Sequence, residues 1–360
     1  MAYYNILSSS DDDEDIIRRP RRFKRRMNYF DDLDDIEFKM RFRLNKNSIL
    51  LILNHIEEAL IFRSNRNNPI TPMQQLLLTL RFYATGSFII SAGDFAGVST
   101  TSAHRIIHRV TNAIARLRPR FVQFPTRNNE IKKQQLEFYK ISRFPRVIGC
   151  IDCTHVRVQS FGTENAELFR NRKGYFSLNV QVVTNSNLEI TDIVARWPGS
   201  THDSTIFNNS RLRGTFEQGM YRDGLLLGDS GYPIKSYLMT PLLNPRTPAE
   251  QLYNESHIRT RNIIERLFGI WKRRFPVLAL GLRLRLNSVM AVIIATAVLH
   301  NVARQNGDEE PLEDPNLNLP APWEEIFNYG NINPDNVDYR NNDNAADRRI
   351  LINDYFHSLL

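Results

Sequence analysis

Hydrophobic positions repeat with a helical period in the first third of the chain and with a strand-like period in its middle. Between residues 38 and 117, apolar residues recur every three or four positions, for example at Leu76, Leu77, Leu80 and Tyr83. Polar residues suited to capping, and one proline, precede two of these apolar runs, as is typical of helix starts. The pattern predicts an all-helical N-terminal region.

One part of this region has the layout of a helix-turn-helix. The pattern predicts a short helix at 91–96, a turn at 97–99 and a longer helix from about 100 to 117. In such a motif the second helix enters the major groove of DNA. Its polar face offers exposed candidates for DNA contact, which are Ser102, His104, Arg105 and His108. The alternative is an ordinary helical hairpin that serves only packing.

From residue 147 onward the pattern changes to apolar runs rich in β-branched residues, which predict strands. Such runs occur at 147–158, 175–183, 188–195, 224–228 and, as a weaker candidate, 237–243. A basic helix is predicted at about 257–275, and an apolar helix at 286–304. This order of strands and helices predicts a mixed sheet flanked by helices, an α/β (α+β) fold.

These patterns divide the chain into five parts. They are a disordered charged arm at 1–37, a helical DNA-binding region of helix-turn-helix type at 38–120, a connector at 121–146, a sheet-containing domain at 147–304 and an acidic tail at 305–360. The arm is predicted to be disordered because blocks of like charge repel one another. The tail is expected to be a loop-rich surface segment that ends in an amphipathic helix.

The charge distribution indicates a polyanionic partner. The 360 residues carry a net charge of +8, with a pI near 9.5. Residues 306–360 hold twelve acidic residues against three arginines, a net charge of −9, so the preceding part carries +17. This contrast favours nucleic acid as the partner. With two cysteines, no apolar leader and no long uninterrupted apolar run, we expect an intracellular protein without a membrane span.

Three carboxylates occupy positions where an acidic residue needs a specific partner. Asp152 lies in the middle of the predicted strand 147–158, and an unpaired carboxylate is costly to bury. Asp229 follows the apolar run 224–228 at a turn, and Glu265 lies within the predicted basic helix. Phosphodiester hydrolysis needs an activated water and a stabilised leaving oxygen, which two carboxylate-held divalent cations can supply. We therefore expect these residues to meet around Mg²⁺ or Mn²⁺.

Four motifs contain these carboxylates and carry a family resemblance. The motifs are Gly149-Cys150-Ile151-Asp152-Cys153-Thr154-His155, Pro198-Gly199-Ser200-Thr201-His202-Asp203, Gly228-Asp229-Ser230-Gly231-Tyr232-Pro233 and Ile264-Glu265-Arg266-Leu267-Phe268-Gly269-Ile270-Trp271-Lys272. They resemble the PIF/Harbinger DDE superfamily transposases, with a close match to the Harbinger transposase-derived nucleases of animals. The resemblance implies an RNase H-like catalytic core at 147–304, metal-dependent DNA cleavage, and Asp152, Asp229 and Glu265 as catalytic residues.

The same resemblance adds a fourth carboxylate. Asp203 lies where the family also has an aspartate, which implies a metal ligand beside Asp152, Asp229 and Glu265. Asp203 could equally be the N-cap of a helix that starts near Thr201, and a cap would explain the residue without a metal. Both interpretations stay open at the level of sequence.

Basic residues crowd the segment around Glu265. A solvated helix usually intersperses charges of both signs, so this segment is better interpreted as a track for the DNA backbone. Its members are Arg259, Arg261, Arg266, Lys272, Arg273, Arg274, Arg283 and Arg285. The predicted DNA contacts combine five of these with two residues of the helical region, and are Arg105, His108, Arg261, Arg266, Lys272, Arg273 and Arg274.

The sequence therefore predicts a nuclear DNA endonuclease that cleaves phosphodiester bonds by two-metal-ion hydrolysis, with strand transfer in a mobile copy. The resemblance implies a nuclear location, with the cytoplasm as a second one, and a Myb/SANT-like DNA-binding partner protein. Joint cutting of two DNA ends implies a homo-oligomer. Two alternatives stay open, a domesticated DNA-binding protein that has lost cleavage and a small-molecule metal phosphohydrolase. The second leaves the basic helix unexplained.

Overall fold

The computed structural model describes residues 26–62, 69–160, 162, 166–311 and 345–360. Before the sheet come α1 (Tyr29–Asp32), α2 (Asp35–Phe42), α3 (Lys46–Leu60), α4 (Pro72–Thr85), α5 (Ile89–Phe95), α6 (Thr100–Ala115), α7 (Arg118–Phe121) and α8 (Asn128–Ser142). The strands are β1 (Val147–Arg157), β2 (Ser177–Thr184), β3 (Ile190–Pro198), β4 (Leu225–Leu227) and β5 (Leu238–Met239). A 3₁₀ turn, Ala166–Phe169, lies between β1 and β2.

Helices also connect and follow the strands. The short helices α9 (Asp203–Asn208) and α10 (Arg211–Glu217) lie between β3 and β4. After β5 come α11 (Pro248–Arg274), α12 (Val277–Leu280), α13 (Leu286–Gln305) and α14 (Ala345–Ile350). The last helix continues as a π-helical turn, Leu351–Phe356, and a 3₁₀ turn, His357–Leu359.

The sheet has the order β3-β2-β1-β4-β5, with β1 at its centre. β1 pairs antiparallel with β2 and parallel with β4, while β2–β3 is antiparallel and β4–β5 parallel. The predicted mixed sheet is therefore confirmed, although β5 is reduced to two residues. Because β1 and β4 run in the same direction, the residues that follow their buried parts arrive at the same edge of the sheet.

Both faces of the sheet are covered, which explains why β1 begins with five buried residues in succession. Cys150 belongs to the larger hydrophobic cluster, which includes α11, α13 and the N-terminal helices. Ile151 points to the other face and joins a smaller cluster with Phe207 of α9 and Leu226 of β4. The N-terminal helices thus share a continuous core with the domain that carries the sheet.

Helices α5 and α6 have the predicted order of short helix, turn and longer helix. Gly97 provides the left-handed conformation in the turn (φ 67°), and Ser99 caps α6 by accepting a hydrogen bond from the Ser102 amide. The apolar face of α6 is buried, as the sequence predicts, while Arg105 and His108 are exposed. Contact of these two residues with DNA stays a prediction.

The long helix α11 starts earlier than the sequence predicts. Thr247 and Glu250 form a capping box, and Pro248 occupies the first helical turn. The apolar helix α13 has the length and composition of a membrane-crossing helix, and its most apolar 18-residue stretch has a mean hydropathy of 1.7. However, 67% of this stretch is buried inside the protein, as is typical of the core helix of a globular domain.

The predicted charged arm is partly structured. Residues 1–25 lie outside the described part, but Tyr29 stacks on Phe95 with ring centroids 4.3 Å apart. The Tyr29 hydroxyl donates a hydrogen bond to the Phe95 carbonyl at 3.0 Å. The boundary of the arm at residue 37 is therefore too late, because aromatic packing fixes the chain from α1 onward.

The predicted acidic tail also differs from a free surface segment. Asp308 is buried, and its carboxylate accepts hydrogen bonds from the Ser48 hydroxyl (2.8 Å) and the Asn45 amide (2.9 Å). Phe356 is fully buried, with T-shaped contacts to Phe144 and Tyr253. The described parts of the tail thus belong to the core, while residues 312–344 lie outside the described part.

The docking of the C-terminal segment can be tested with Phe356→Ala. We expect the free energy of unfolding to fall by about 3–5 kcal/mol, because the substitution leaves a cavity against two aromatic rings. Chemical denaturation measures the change. Leu360→Ala, at a residue that is 67% exposed, is the matched control and should change stability little. Equal stability of the two variants would show that the segment does not pack as described.

Two buried histidines should make the fold sensitive to acid. Burial lowers the pKa of His257 and of His300 to about 3 from the ordinary 6.5. The unfolded chain binds protons as the pH falls through about 6.5 and the folded chain only near 3, so stability is lost as the pH falls below 6.5. At pH 5 each histidine should account for a loss of about 2 kcal/mol.

Urea denaturation near pH 7.5 and pH 5 measures this loss. His257→Gln keeps a donor for the Met239 carbonyl, which His257 contacts at 3.1 Å, and should reduce the pH-dependent loss by about 2 kcal/mol. His104→Gln removes an exposed histidine and should leave the loss unchanged. An undiminished loss in His257→Gln would contradict the assignment.

Candidate active site

Three aspartates from different elements bring their carboxylates together at one edge of the sheet. Asp152 lies on β1, Asp203 is the first residue of α9, and Asp229 lies in the turn after β4. One carboxylate oxygen from each lies within 4.8 Å of the others. The parallel pairing of β1 with β4 explains how Asp152 and Asp229, which are 77 positions apart in the sequence, lie side by side.

Each of these carboxylates is oriented by a local hydrogen-bond donor. Asp152 Oδ1 accepts from the Cys153 amide at 2.7 Å, and Asp229 Oδ1 accepts from the Gly231 amide at 3.0 Å. Asp203 Oδ1 accepts from the side-chain amide of Asn179 at 2.8 Å. Asn179 lies on β2 and is almost fully buried. The donors hold the three carboxylates in place.

The structure does not support the N-cap interpretation of Asp203, while its role as a metal ligand stays a prediction. His202 occupies the N-cap position of α9 and its side chain makes no capping hydrogen bond. Asp203 is already inside the helix, so the N-cap interpretation is wrong by one residue. Its carboxylate instead joins the cluster with Asp152 and Asp229, and its position in the first turn of α9 suits a negative charge.

The cluster is electrostatically unfavourable without a cation. Burial raises the pKa of Asp152, and the neighbouring charges of Asp229 and Asp203 raise it further, although Arg261 opposes both. Burial likewise raises the pKa of Asp203, with Asp229 adding to the shift against the hydrogen bond from Asn179. Like charges at this separation in a poorly solvated place favour a bound cation.

Glu265 lies beside this cluster and is held by an arginine. Arg261 donates to Asp152 Oδ2 at 3.0 Å and to Glu265 Oε1 at 2.6 Å. Arg261 and Glu265 are four residues apart on α11, so both side chains project from one face of the helix. Glu265 is not among the residues whose oxygens lie within 4.8 Å of one another. The expected meeting of Asp152, Asp229 and Glu265 is thus replaced by three aspartates with Glu265 alongside.

The donor set fits a divalent metal such as Mg²⁺ or Mn²⁺. Carboxylate oxygens are the ligands that these hard cations prefer, and Asp152, Asp203 and Asp229 present them within reach of a single ion. In addition, Glu265 Oε2 is buried and accepts no hydrogen bond from the described residues. Such an orphaned oxygen is costly unless another donor or a cation satisfies it.

Basic groups border the cluster. Arg172 Nη2 lies 2.7 Å from Nδ1 of His202, the residue directly before Asp203. His155 Nδ1 lies 3.0 Å from the Ser177 hydroxyl. Burial lowers the pKa of His155 to about 4, and the nearby charges of Lys272, Lys173 and Arg172 lower it further. His155 is therefore neutral at pH 7, and the positive charge beside the carboxylates comes from Arg261 and Arg172.

The predicted DNA track along α11 is only partly supported by the arrangement of its side chains. Arg274 is 1% exposed and donates to the backbone carbonyls of Arg43 and Glu309, each at 3.0 Å. Its predicted contact with DNA is wrong because the guanidinium is enclosed in the core. Lys272 is half-buried and donates to the His155 carbonyl at 3.0 Å, and burial lowers its pKa to about 8.

Arg261 also faces inward, towards the carboxylates. The remaining predicted contacts on α11 are Arg266, which is exposed and pairs with Glu310 at 2.8 Å, and Arg273, which is half-buried. The basic residues of α11 thus divide into inward-facing and outward-facing groups. A helix with charges on several faces does not reveal this division in its sequence, since the carbonyl partners are remote along the chain.

Sequence reasoning missed Asn179 as the residue that orients Asp203. Its only signal is a polar residue inside the apolar strand β2, which is also typical of a structural hydrogen bond. The bridging position of Arg261 was likewise not predicted. Its signal is the spacing of four residues before Glu265, which places both on one helix face.

Comparisons with known proteins agree with this geometry. A sequence profile described as "DDE superfamily endonuclease" matches residues 151–301, a range that contains Asp152, Asp203, Asp229 and Glu265. No solved structure matches the chain. Since the DDE superfamily has an RNase H-like core, the profile match implies that core for the domain that carries the sheet.

Three curated relatives illustrate the similarity. "Putative nuclease HARBI1" of Bos taurus is 33% identical over 280 residues, covering 77% of this chain and 80% of the relative. The protein of the same name from Homo sapiens is 36% identical over 247 residues, 68% of this chain and 70% of the relative. "Protein ALP1-like" of Arabidopsis thaliana is 24% identical over 274 residues, 70% of this chain and 66% of the relative. This chain therefore belongs to the Harbinger transposase-derived family of DDE superfamily endonucleases.

Proposed function

We propose that this protein is a metal-dependent DNA endonuclease that hydrolyses phosphodiester bonds at the cluster of Asp152, Asp203 and Asp229. The observation that carries the proposal is the convergence of three half-buried carboxylates, from three elements, within 4.8 Å of one another. Membership of an endonuclease family supports nuclease chemistry and DNA as the substrate class.

The proposed mechanism is two-metal-ion hydrolysis. Divalent cations would supply an activated water and stabilise the leaving oxygen. Asp152, Asp203 and Asp229 would hold one ion, and Glu265, through its orphaned oxygen, would add a ligand for a second. In a mobile copy the 3′ hydroxyl freed by cleavage would attack target DNA in strand transfer. Asn179 and the amides of Cys153 and Gly231 keep the carboxylates oriented for this role.

DNA would be held by exposed or half-buried basic side chains. Arg105 and His108 on α6 are exposed, and the helix-turn-helix layout would direct them towards a groove. Arg266 and Arg273 on α11 would contact the phosphate backbone, with Glu310 as the internal competitor for Arg266. Arg172, close to His202, lies near the carboxylates and would contact the phosphates next to the cleaved bond.

The wider setting of the proposal comes from family membership. We propose that the protein acts in the nucleus with a Myb/SANT-like DNA-binding protein, and as a homo-oligomer, because two ends must be cut together. Each of these points needs its own measurement, by localisation, co-purification and mass in solution.

Nicking of supercoiled DNA by the purified protein in Mg²⁺ or Mn²⁺ tests the nuclease. Asp229→Asn should lower the rate by at least about a hundredfold, because loss of one charged ligand removes several kcal/mol of charge stabilisation. Asp223→Asn, at an exposed aspartate just before β4, is the matched control and should cut like the wild type. Equal residual cutting by both variants would place the activity elsewhere.

A failure of the wild type to cut has a separate meaning. If wild type and Asp229→Asn both bind DNA and neither cuts, even with a Myb-like partner added, the proposed nuclease is overturned. The protein is then a DNA-binding protein that has lost cleavage.

The role of α6 is tested by Arg105→Gln. Loss of a phosphate contact should weaken binding of duplex DNA and reduce the slope of log affinity against log salt by about 1. Fluorescence anisotropy across a salt series measures both quantities. Lys132→Gln removes an exposed charge on α8, outside the proposed contacts, and serves as the control. If both variants behave alike, α6 does not contact DNA.

A further inference from the structure

We propose that Arg261 is a built-in counter-cation that occupies the place of the second divalent ion, so that the site fills with metal in two unequal steps. The inference rests on the proposed function and adds a positioning residue to it. The first step uses Asp152, Asp203 and Asp229, which already converge. The second step requires the guanidinium to release Glu265.

The contacts of Arg261 carry this inference. One guanidinium nitrogen donates to Asp152 Oδ2 and the other to Glu265 Oε1, so the cation lies between the two carboxylates. Asp152 belongs to the converged group and Glu265 does not. A second ion that uses both residues must therefore compete with the guanidinium for the same oxygens.

The surroundings favour retention of this arginine until a stronger cation arrives. Its side chain is only 16% exposed, and that of Glu265 is 13% exposed. A guanidinium stays charged in proteins, so Arg261 remains a cation between the carboxylates of Asp152 and Glu265. Without it, Asp152 and Glu265 would each lose the cation that contacts them, which is strongly unfavourable for poorly exposed carboxylates.

The arginine also retains capacity for another partner. Its Nε is buried and donates no hydrogen bond to the described residues. A guanidinium has five donors in a fixed fork that matches carboxylate and phosphate oxygens. Arg261 can thus leave Glu265 for another anion without losing every hydrogen bond, which makes an exchange of partners feasible.

An ordinary helical ion pair is the competing explanation, and α11 contains one for comparison. Arg259 pairs with Glu255 at the same spacing, but their side chains are 67% and 53% exposed and lie outside the carboxylate cluster. This pair consists of the same two residue types, an arginine and a glutamate, on the same helix. It therefore provides a matched control for Arg261.

The test is the binding of Mn²⁺ to the full chain without DNA, followed by calorimetry and by electron paramagnetic resonance. Wild type should bind one Mn²⁺, with a second at least about tenfold weaker. Arg261→Gln should bind two with similar affinity, and Arg259→Gln should behave like wild type. Glu265→Gln should retain the first ion and lose the second, because its carboxylate is a ligand of the second only.

The outcomes separate the inference from the function on which it rests. If wild type binds two ions equally, or if Arg261→Gln leaves the second ion as weak as in wild type, the inference is overturned while the metal site stands. If wild type binds no Mn²⁺, the proposed metal nuclease itself fails. Should Arg261→Gln not fold, Arg261→Lys replaces it. A point charge cannot bridge both carboxylates, so the second ion should still bind more tightly than in wild type.

Discussion

The constraint on which the site depends is the cost of gathering carboxylates where little water reaches them. Asp152, Asp203 and Asp229 converge at one edge of the sheet with Glu265 alongside, and the described residues offset their repulsion with the guanidinium groups of Arg261 and Arg172 and with a few hydrogen-bond donors. Asp152 lies on the central strand, Asp203 begins the helix after β3 and Asp229 follows β4, so the cluster depends on the pairing of several strands. The arrangement favours a divalent cation because it supplies too little positive charge of its own.

Helix α11 brings the compensating charge to that edge, and it is fixed along its length. His257 contacts the Met239 carbonyl of β5, and Trp271 is buried in the core. At the C-terminal end of α11, Arg274 donates hydrogen bonds to the backbone carbonyls of Arg43 and Glu309. The N-terminal helices and the described parts of the acidic tail therefore support the same helix that places Arg261 and Glu265. This shared anchoring explains why the helical region and the sheet share one core.

The period of the hydrophobic positions predicted those features of the fold that depend on local sequence. The strands and the buried face of α6 followed from patterns that neighbouring residues determine. The approach of Asp152 to Asp229 was expected instead from the chemistry of metal-dependent hydrolysis and from the family resemblance. The directions in which the long basic side chains point did not follow from such local patterns. Arg274 binds a carbonyl 231 residues away in the chain, and no local pattern distinguishes such an arginine from a solvated one. The N-cap interpretation of Asp203 failed by a single position, which lies within the usual uncertainty of helix ends.

The division of basic residues changes the meaning of the net charge. Residues 1–305 carry a net charge of +17. However, Arg261 is bound to internal carboxylates and Arg274 to backbone carbonyls. Glu310 forms ion pairs with both Arg266 and Arg304. Counter-ion release depends only on charges that reach phosphates. The salt dependence of DNA binding should therefore reflect a smaller number of contacts than the composition suggests. The inward-facing cations are bound within the protein, Arg261 by the acidic cluster and Arg274 by backbone carbonyls, so only the outward-facing ones are available for the proposed DNA contacts.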